Sequence, residues 1–181
     1  IQLPGIQWHV TDTLESQHDA APPPPPACSR DGSLAFIQFT SGSTGDPKGV
    51  MISHEGLSSN IEQMVETYNQ DPTHECIFCS WLPQYHDMGL VGNILTPLWI
   101  GAEATLMSPL DFIKKPYVWL QAISRYQATC VWAPNFAWEL CMRKTPSHVW
   151  RSLDLSSVRV LVNGAEPVRS STVEGFVTMF E

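Results

Sequence analysis

A loop rich in glycine and hydroxyl side chains carries the clearest chemical pattern of the sequence, T-S-G-S-T-G-D-P-K-G at residues 40–49. Its glycines allow sharp turns that bring backbone N–H groups close to an anion, its hydroxyls donate hydrogen bonds, and its lysine supplies a cation. These groups together bind phosphate. The predicted phosphate-binding residues are Thr40, Ser41, Gly42, Ser43, Thr44, Gly45, Lys48 and Gly49.

The loop differs from a Walker loop, because G-x-x-x-x-G-K-[ST] needs glycine where Pro47 stands and a hydroxyl where Gly49 stands. The residues that follow, 50–52, have the pattern of a strand, so we expect the loop to join two strands. A tract of this composition is otherwise simply a flexible connection. The ordered pattern that ends in Pro-Lys-Gly favours phosphate binding.

The other potentially reactive side chains form no motif that specifies one type of chemistry. His86 and Asp87 are adjacent, but no third metal ligand has suitable spacing and no G-x-S-x-G motif supplies a nucleophile. Cys76 and Cys79 form one C-x-x-C motif in a run typical of a buried strand, which favours core thiols over a metal or redox pair. The 5 cysteines form no even framework, which predicts a reducing, intracellular and specifically cytoplasmic location.

The elements that must position these residues alternate along the chain. Strand patterns alternate with helical periods, which predicts an α/β fold with a mostly parallel sheet and flanking helices. The predicted strands are 34–40, 50–53, 76–81, 104–107, 128–132 and 158–162. The predicted helices are 57–68, with Ser53 near its N-cap, 116–126 and 135–144, and the apolar stretch 88–99 is helix-like.

Composition limits the classes of protein that fit. The chain has 181 residues, 43% hydrophobic and 15% charged, so we expect it to fold rather than to be disordered. Its 10 basic residues are scattered among 18 acidic ones, for a net charge of -8, which argues against nucleic-acid binding. The longest apolar stretch, 88–102, is too short and too interrupted to span a membrane.

The first segment, 1–33, differs from the rest, 34–181. It contains a short strand pattern at 6–10 and a run of prolines at 22–26. Such a run is an extended spacer, here interpreted as a surface connection, although it is also the type of segment that aromatic-lined grooves bind. Because residue 1 is Ile, we expect the chain to be part of a longer one.

The phosphate-binding loop resembles the signature loop of the AMP-forming acyl-adenylating enzymes, which include acyl-CoA synthetases, luciferases and peptide-synthetase adenylation domains. Residues 80–90 (SWLPQYHDMGL) and 133–141 (APNFAWELC) are similar to the fatty acyl-AMP ligase branch in particular, and 123–129 and 163–167 agree. The resemblance covers 34–181 and implies a central part of the large N-terminal domain. It implies that ATP and Mg²⁺ activate a fatty acid to acyl-AMP, for transfer to an acyl carrier protein or polyketide synthase.

The resemblance also implies roles for individual residues. The loop would bind the β- and γ-phosphates of ATP, which makes Thr44 and Lys48 catalytic candidates. His86 would be a third, flanking the reacting carboxylate and the adenylate phosphate, with Asp87 orienting its loop. The expected adenine-binding residues are Asn163, Gly164, Ala165 and Glu166. The expected acyl-binding residues are Met88, Gly89, Asn135 and Phe136, with Gly89 leaving room for the substrate.

Some features of the family do not occur in these residues. They are the Tyr-Gly segment with its magnesium-binding Glu, the ribose-binding Asp and the C-terminal domain with the catalytic Lys. We therefore expect activity from the full-length protein and little from residues 1–181 alone. Two alternatives stay open: an acyl-CoA ligase or amino-acid adenylation domain, and a non-catalytic adenylate-fold module that binds acyl or nucleotide ligands.

Overall fold

The computed structural model describes residues 32–40, 47–68 and 75–180. For Tyr68 it describes the backbone only. The predicted strand at 6–10, the proline run at 22–26 and the loop residues Ser41, Gly42, Ser43, Thr44 and Gly45 lie outside the described residues. The predictions made for them therefore remain predictions.

The two strands that flank the loop form a hairpin. Strand β1 (Leu34–Thr40) pairs antiparallel with β2 (Lys48–Ser53), with Thr40 opposite Lys48 beside the loop. Helix α1 (His54–Tyr68) follows at once, and the Ser53 hydroxyl accepts a hydrogen bond of 3.0 Å from the Gly56 N–H, as expected for an N-cap. Strand patterns alone did not predict that this pair forms a sheet of its own.

The second sheet is parallel and has four strands. These are β3 (Ile77–Ser80), β4 (Glu103–Leu106), β5 (Cys130–Pro134) and β6 (Val160–Gly164), in the order β4-β3-β5-β6. Parallel pairing relates every neighbouring pair. The predicted α/β class with a parallel sheet is confirmed, and each of the six strands predicted within 34–162 lies within two residues of an observed one at its start and end.

Helices connect the strands of the parallel sheet. They are α2 (Asp87–Leu90), a π-helical turn (Val91–Leu95), α3 (Thr96–Ile100), α4 (Pro109–Lys114), α5 (Tyr117–Tyr126), α6 (Asn135–Lys144), α7 (Ser147–Trp150) and α8 (Ser170–Phe180). The stretch 88–99 is thus helical as expected, but the π-helical turn interrupts it. Not all of it is core, since Leu98 is 73% exposed.

Both faces of the parallel sheet are covered. Neighbouring residues of a strand point to opposite faces, so Val131 and Trp132 of β5 identify what packs on each side. Val131 lies with Leu120 of α5 and Trp138 of α6. The Trp132 ring lies against Gly92 of the π-helical turn. A parallel sheet covered on both faces has buried central strands, and β5 is buried along its whole length.

Aromatic rings form much of the core beside this sheet. Trp81 stacks on Phe112 with 3.8 Å between ring centroids, and Trp119 lies 5.1 Å from Trp138. The indole N–H of Trp119 donates to the carbonyl oxygen of Cys79 at 3.0 Å, which satisfies a buried donor. This cluster supports the residues that follow β3 and β5.

No helix in the part of the chain that the structure describes is long and apolar enough to cross a membrane.

Candidate active site

A pocket lies at the edge of the parallel sheet where β3, β5 and β6 end. Because the strands are parallel, their carboxyl ends meet at one edge, which is where open α/β sheets bind ligands. The pocket has a volume of about 290 Å³. Its lining consists of Trp81, Leu82, Pro83, His86 and Met88 after β3, Pro134 and Phe136 at the end of β5, and Ala165 and Glu166 after β6.

The structure brings together residues that the sequence predicts for different parts of the site. The pocket lining includes His86 and also the predicted acyl-binding residues Met88 and Phe136. Ala165 and Glu166, predicted to bind adenine, belong to the same lining. Gly164 is adjacent, since a Cβ placed on it would be 4.0 Å from the Met88 Cε atom.

His86 is held at the start of α2 by its neighbours. Its Nδ1 lies 2.8 Å from Asp87 Oδ1, and the same carboxylate oxygen accepts the Met88 N–H at 2.7 Å. Met88 N is also 3.2 Å from His86 Nδ1, but a ring nitrogen that donates to Asp87 cannot accept as well, so we assign this N–H to the carboxylate. Asp87 thus contacts both the His86 ring and the Met88 backbone, and its predicted role in orienting the loop stays a prediction.

Glu166 and Phe136 are joined across the pocket wall. The Glu166 Oε1 atom accepts a 2.6 Å hydrogen bond from the Phe136 N–H, in the first turn of α6. Carboxylates are stabilised at helix N-termini, where backbone N–H groups lack intrahelical partners. The Phe136 ring meets Trp81 edge to face, with 6.1 Å between centroids. The residues after β6 and β5 thus form one continuous wall.

Asn135 and Asn163, predicted to contact the acyl chain and the adenine, do not line the pocket. Asn135 is 3% exposed, is absent from the pocket lining, and uses its amide for hydrogen bonds within the protein, so direct contact with an acyl chain is not supported. Asn163 donates to the Asn135 Oδ1 atom at 3.2 Å rather than facing the pocket. Both side chains form hydrogen bonds behind the pocket wall instead of lining the pocket.

Gly89 also has a different role from the expected one. It lines a second, smaller cavity of about 190 Å³ with Pro83 and Asn93. A Cβ on Gly89 would clash with the carbonyl oxygen of Pro83. The missing side chain therefore allows helix α2 to approach the backbone of the preceding loop, rather than making room for a ligand.

The described part of the phosphate-binding loop lies on the hairpin. Lys48 and Gly49 begin β2, and the Thr40 hydroxyl is 3.5 Å from the Lys48 carbonyl oxygen. The prediction that the loop joins two strands is confirmed. Lys48 is exposed, and none of these three residues lines the pocket at the end of the parallel sheet.

The described cysteines have the character of core residues. Burial raises the pKa of the Cys79, Cys130 and Cys141 thiols to about 12, which makes them poor nucleophiles and ligands. Cys76, Cys79, Cys130 and Cys141 are all free thiols. Within residues 32–40, 47–68 and 75–180, no three Cys, His, Asp or Glu side chains come together as a metal site, so we assign no ligand to Mg²⁺.

Sequence reasoning missed several residues of the pocket. Trp81, Leu82 and Pro83 belong to the SWLPQYHDMGL segment, and their position directly after a buried strand was a signal that they lie at the ligand-binding edge. Glu139 and Thr172 were also missed, although both contact Asn135. Only the spacing of Asn135 and Glu139, four residues apart on one helix, indicated their contact.

The α/β fold, with a ligand pocket at the carboxyl ends of its parallel strands, agrees with the family that comparison with known proteins identifies. The chain matches the family described as "AMP-binding enzyme" over residues 3–181, and it belongs to that family.

Individual relatives narrow the class. The chain is 42% identical over 176 residues to "Medium-chain-fatty-acid--[acyl-carrier-protein] ligase JamA" of Moorena producens, covering 97% of this chain and 29% of that protein. It is 45% identical over 147 residues to "Medium-chain-fatty-acid--[acyl-carrier-protein] ligase TtuA" of Teredinibacter turnerae, covering 81% of this chain and 23% of that protein.

A solved structure gives the same result. The fatty acyl-adenylate ligase from L. pneumophila, in complex with acyl adenylate and pyrophosphate, matches with a TM-score of 0.76 and 46% identity, covering 81% of this chain and 26% of that one. The chain thus spans about a quarter of the length of these relatives.

Proposed function

We propose that the full-length protein, meaning the complete natural chain that contains these residues, activates a fatty acid with ATP. The fatty carboxylate oxygen attacks the α-phosphorus of ATP, the bond from that phosphorus to the bridging oxygen breaks, and acyl-AMP and pyrophosphate form. The observation that carries the proposal is the largely apolar pocket at the ends of β3, β5 and β6, with one histidine and one carboxylate in its lining.

The pocket lining supplies residues for both parts of an acyl-adenylate. Met88 and Phe136 would provide apolar contacts for the acyl chain, and Ala165 and Glu166, with Gly164 beside Met88, would contact the adenine. Asp87 contacts Nδ1 of His86, which leaves Nε2 as the ring nitrogen that can meet an oxygen of the carboxylate or phosphate.

The loop would act on the leaving group. Its hydroxyls, including that of Thr44, and the Lys48 ammonium are the groups suited to binding the β- and γ-phosphates and the departing pyrophosphate. Catalysis of such a displacement consists mainly of positioning and charge stabilisation. We also propose that Mg²⁺ accompanies ATP and that its protein ligands lie outside the described residues.

The acceptor is proposed from the relatives. JamA and TtuA are named as ligases that act on an acyl carrier protein. We therefore propose that the phosphopantetheine thiol of a carrier protein, free or within a polyketide synthase, attacks the acyl carbonyl and releases AMP. The acidic composition argues against nucleic acid as a partner, and the free thiols of the described cysteines fit a cytoplasmic location.

The test is direct detection of the product by mass spectrometry. Full-length protein is incubated with ATP, Mg²⁺ and carboxylates of increasing chain length, and then with either a phosphopantetheinylated carrier protein or coenzyme A. We expect acyl-AMP with fatty acids and transfer to the carrier. Product only with amino acids would contradict fatty-acid activation, and transfer to coenzyme A in preference to the carrier would contradict the proposed acceptor. Nucleotide binding without product would favour a non-catalytic module.

A further inference from the structure

Asn135 forms a hydrogen-bonding centre beside the pocket. Its Nδ2 atom donates to Glu139 Oε1 at 3.0 Å and to Thr172 Oγ1 at 3.1 Å. Its Oδ1 atom accepts from Asn163 Nδ2 at 3.2 Å and from the Arg169 N–H at 3.1 Å. An asparagine amide has two donor hydrogens and two acceptor lone pairs, so these four contacts use its whole capacity.

These contacts attach one end of helix α6 to both sides of the turn after β6. Asn163 precedes the turn, Arg169 and Thr172 follow it, and all three bind Asn135. Within the turn, Glu166 binds the Phe136 N–H. The segment 163–172 is therefore attached to the first turn of α6 at four points, and the two pocket residues Ala165 and Glu166 lie between them.

The turn needs this support because of its backbone. Ala165 has φ of +64°, a left-handed conformation that costs a residue with a Cβ about 1 kcal/mol or more. Such a conformation persists only where the surrounding contacts determine it. Asn135 and the residues it binds are the contacts that enclose the turn.

We infer that Asn135 is a positioning residue, which fixes the Ala165–Glu166 wall of the pocket by clamping segment 163–172 to helix α6. The inference rests on the proposed function for its catalytic consequence, but the clamp itself is a property of the fold. It assigns to Asn135 an indirect role in place of the direct acyl contact that the sequence suggested.

Glu139 completes the clamp as an acceptor. Its Oε1 atom accepts from Asn135, from the Thr172 hydroxyl at 2.8 Å and from Arg169 Nη1 at 3.3 Å. The Thr172 hydrogen bond, followed by the Arg169 charge and the Asn135 amide, lowers the pKa of this carboxyl. Because Glu139 Oε1 already accepts three hydrogen bonds, an acceptor in place of the Asn135 amide would oppose it.

Because Asn135 donates to Glu139, a substitution can reverse the hydrogen bond without changing the size of the side chain. Asn135→Asp keeps the size and the Oδ1 acceptor but places a second carboxylate against Glu139, so the clamp should open. In the double variant Asn135→Asp with Glu139→Gln, the new amide donates to the new carboxylate and the contact is restored with its direction reversed. Thr129→Val is the control, because Thr129 binds Ile77 N and the Glu75 carbonyl at the opposite edge of the sheet.

Two measurements on the full-length protein decide the outcome. By hydrogen–deuterium exchange, Asn135→Asp should increase exchange in 163–172 about tenfold, while the double variant returns it toward wild type and Thr129→Val leaves it unchanged. In fatty-acid-dependent pyrophosphate exchange, Asn135→Asp should raise the KM for ATP about tenfold, again with recovery in the double variant.

Four outcomes would contradict the positioning role of Asn135. Unchanged exchange of 163–172 in Asn135→Asp would overturn the inference, as would an equal increase in Thr129→Val or no recovery in the double variant. An ATP KM unaffected by an opened clamp would overturn the positioning role. If the wild type itself shows no pyrophosphate exchange, the proposed function fails, and the deuterium measurement still decides whether Asn135 holds the wall.

Discussion

The hairpin and the carboxyl edge of the parallel sheet carry their chemistry in different ways. On the hairpin, Phe39 is 72% and Met51 is 75% exposed, whereas Val131 and Trp132 in the parallel sheet are 1% and 6% exposed. The hairpin carries the most distinctive motif of the sequence, and several of its apolar side chains are exposed within the described residues. The pocket is built from side chains whose positions follow from a packed core. We therefore expect substitution of the exposed Lys48 to affect activity more than stability, and substitutions behind the pocket to affect stability first.

The largest expected effect is that of Lys48→Ala in the full-length protein. If Lys48 binds the departing pyrophosphate as proposed, loss of this cation should lower pyrophosphate exchange by about 100- to 1,000-fold. Because Lys48 is exposed, the free energy of unfolding should change by no more than about 0.5 kcal/mol. Lys115→Ala, at another exposed lysine, is the control and should preserve exchange. Equal exchange in both variants would remove the hairpin from the site.

Gly92→Ala tests the opposite region. A Cβ at this position would lie 2.7 Å from Cε3 and 2.9 Å from Cη2 of Trp132, so it should lower the free energy of unfolding by about 1–3 kcal/mol. Gly175→Ala is the matched helical control, since its Cβ meets only the flexible Met142 side chain, at 3.4 Å. Chemical denaturation should show that this control is neutral or up to about 1 kcal/mol more stable. Equal destabilisation would contradict the close packing assigned to Gly92.

Phe136→Ala removes a ring from the pocket wall and keeps the backbone N–H that binds Glu166. We expect the KM for fatty acid to rise about tenfold, because apolar contact is lost, and the KM for ATP to remain close to wild type. Steady-state kinetics with both substrates varied separately would measure this difference. A parallel rise in both constants would show that the acyl and adenine sides are not separate surfaces.

The smallest expected effect concerns the buried thiols at alkaline pH. The pKa of Cys141 is raised from 9.0 to about 12 by burial, so the folded state keeps a proton that the unfolded state loses. Its contribution to stability is fully present below pH 9 and is lost as pH rises toward 12. Cys141→Ala should therefore make the alkaline fall in the unfolding free energy shallower, by at most about 1.4 kcal/mol per pH unit. Denaturation curves at pH 8, 9.5 and 10.5 measure the slope, and an unchanged slope would contradict a thiol that stays protonated in the fold.

The difference between the two regions also explains what the sequence revealed. Strand β1 and helix α6 have the predicted bounds, because alternation in one and a preceding proline in the other mark their ends. His86, Phe136 and Glu166 meet in one pocket because each follows a strand of the parallel sheet, whose carboxyl ends lie at one edge.

Features that depend on contacts distant in sequence could not be predicted. Asn135 has a side chain that often binds ligands, but three of its four partners lie 28 to 37 residues away, and no local pattern indicates those three. Gly89 indicated a small side chain without showing that the Pro83 backbone is what approaches it. Periodicity shows which face of an element is buried, whereas polar partners are determined only by the assembled fold.

The central claim is that the loop and the pocket belong to one site that activates fatty acids. Its most direct test is ATP–pyrophosphate exchange by the full-length protein, with fatty acids of increasing chain length and with amino acids as the alternative carboxylates. We predict exchange that requires a fatty acid and depends on its length. Exchange supported by amino acids alone, or no exchange with any carboxylate, would contradict the claim.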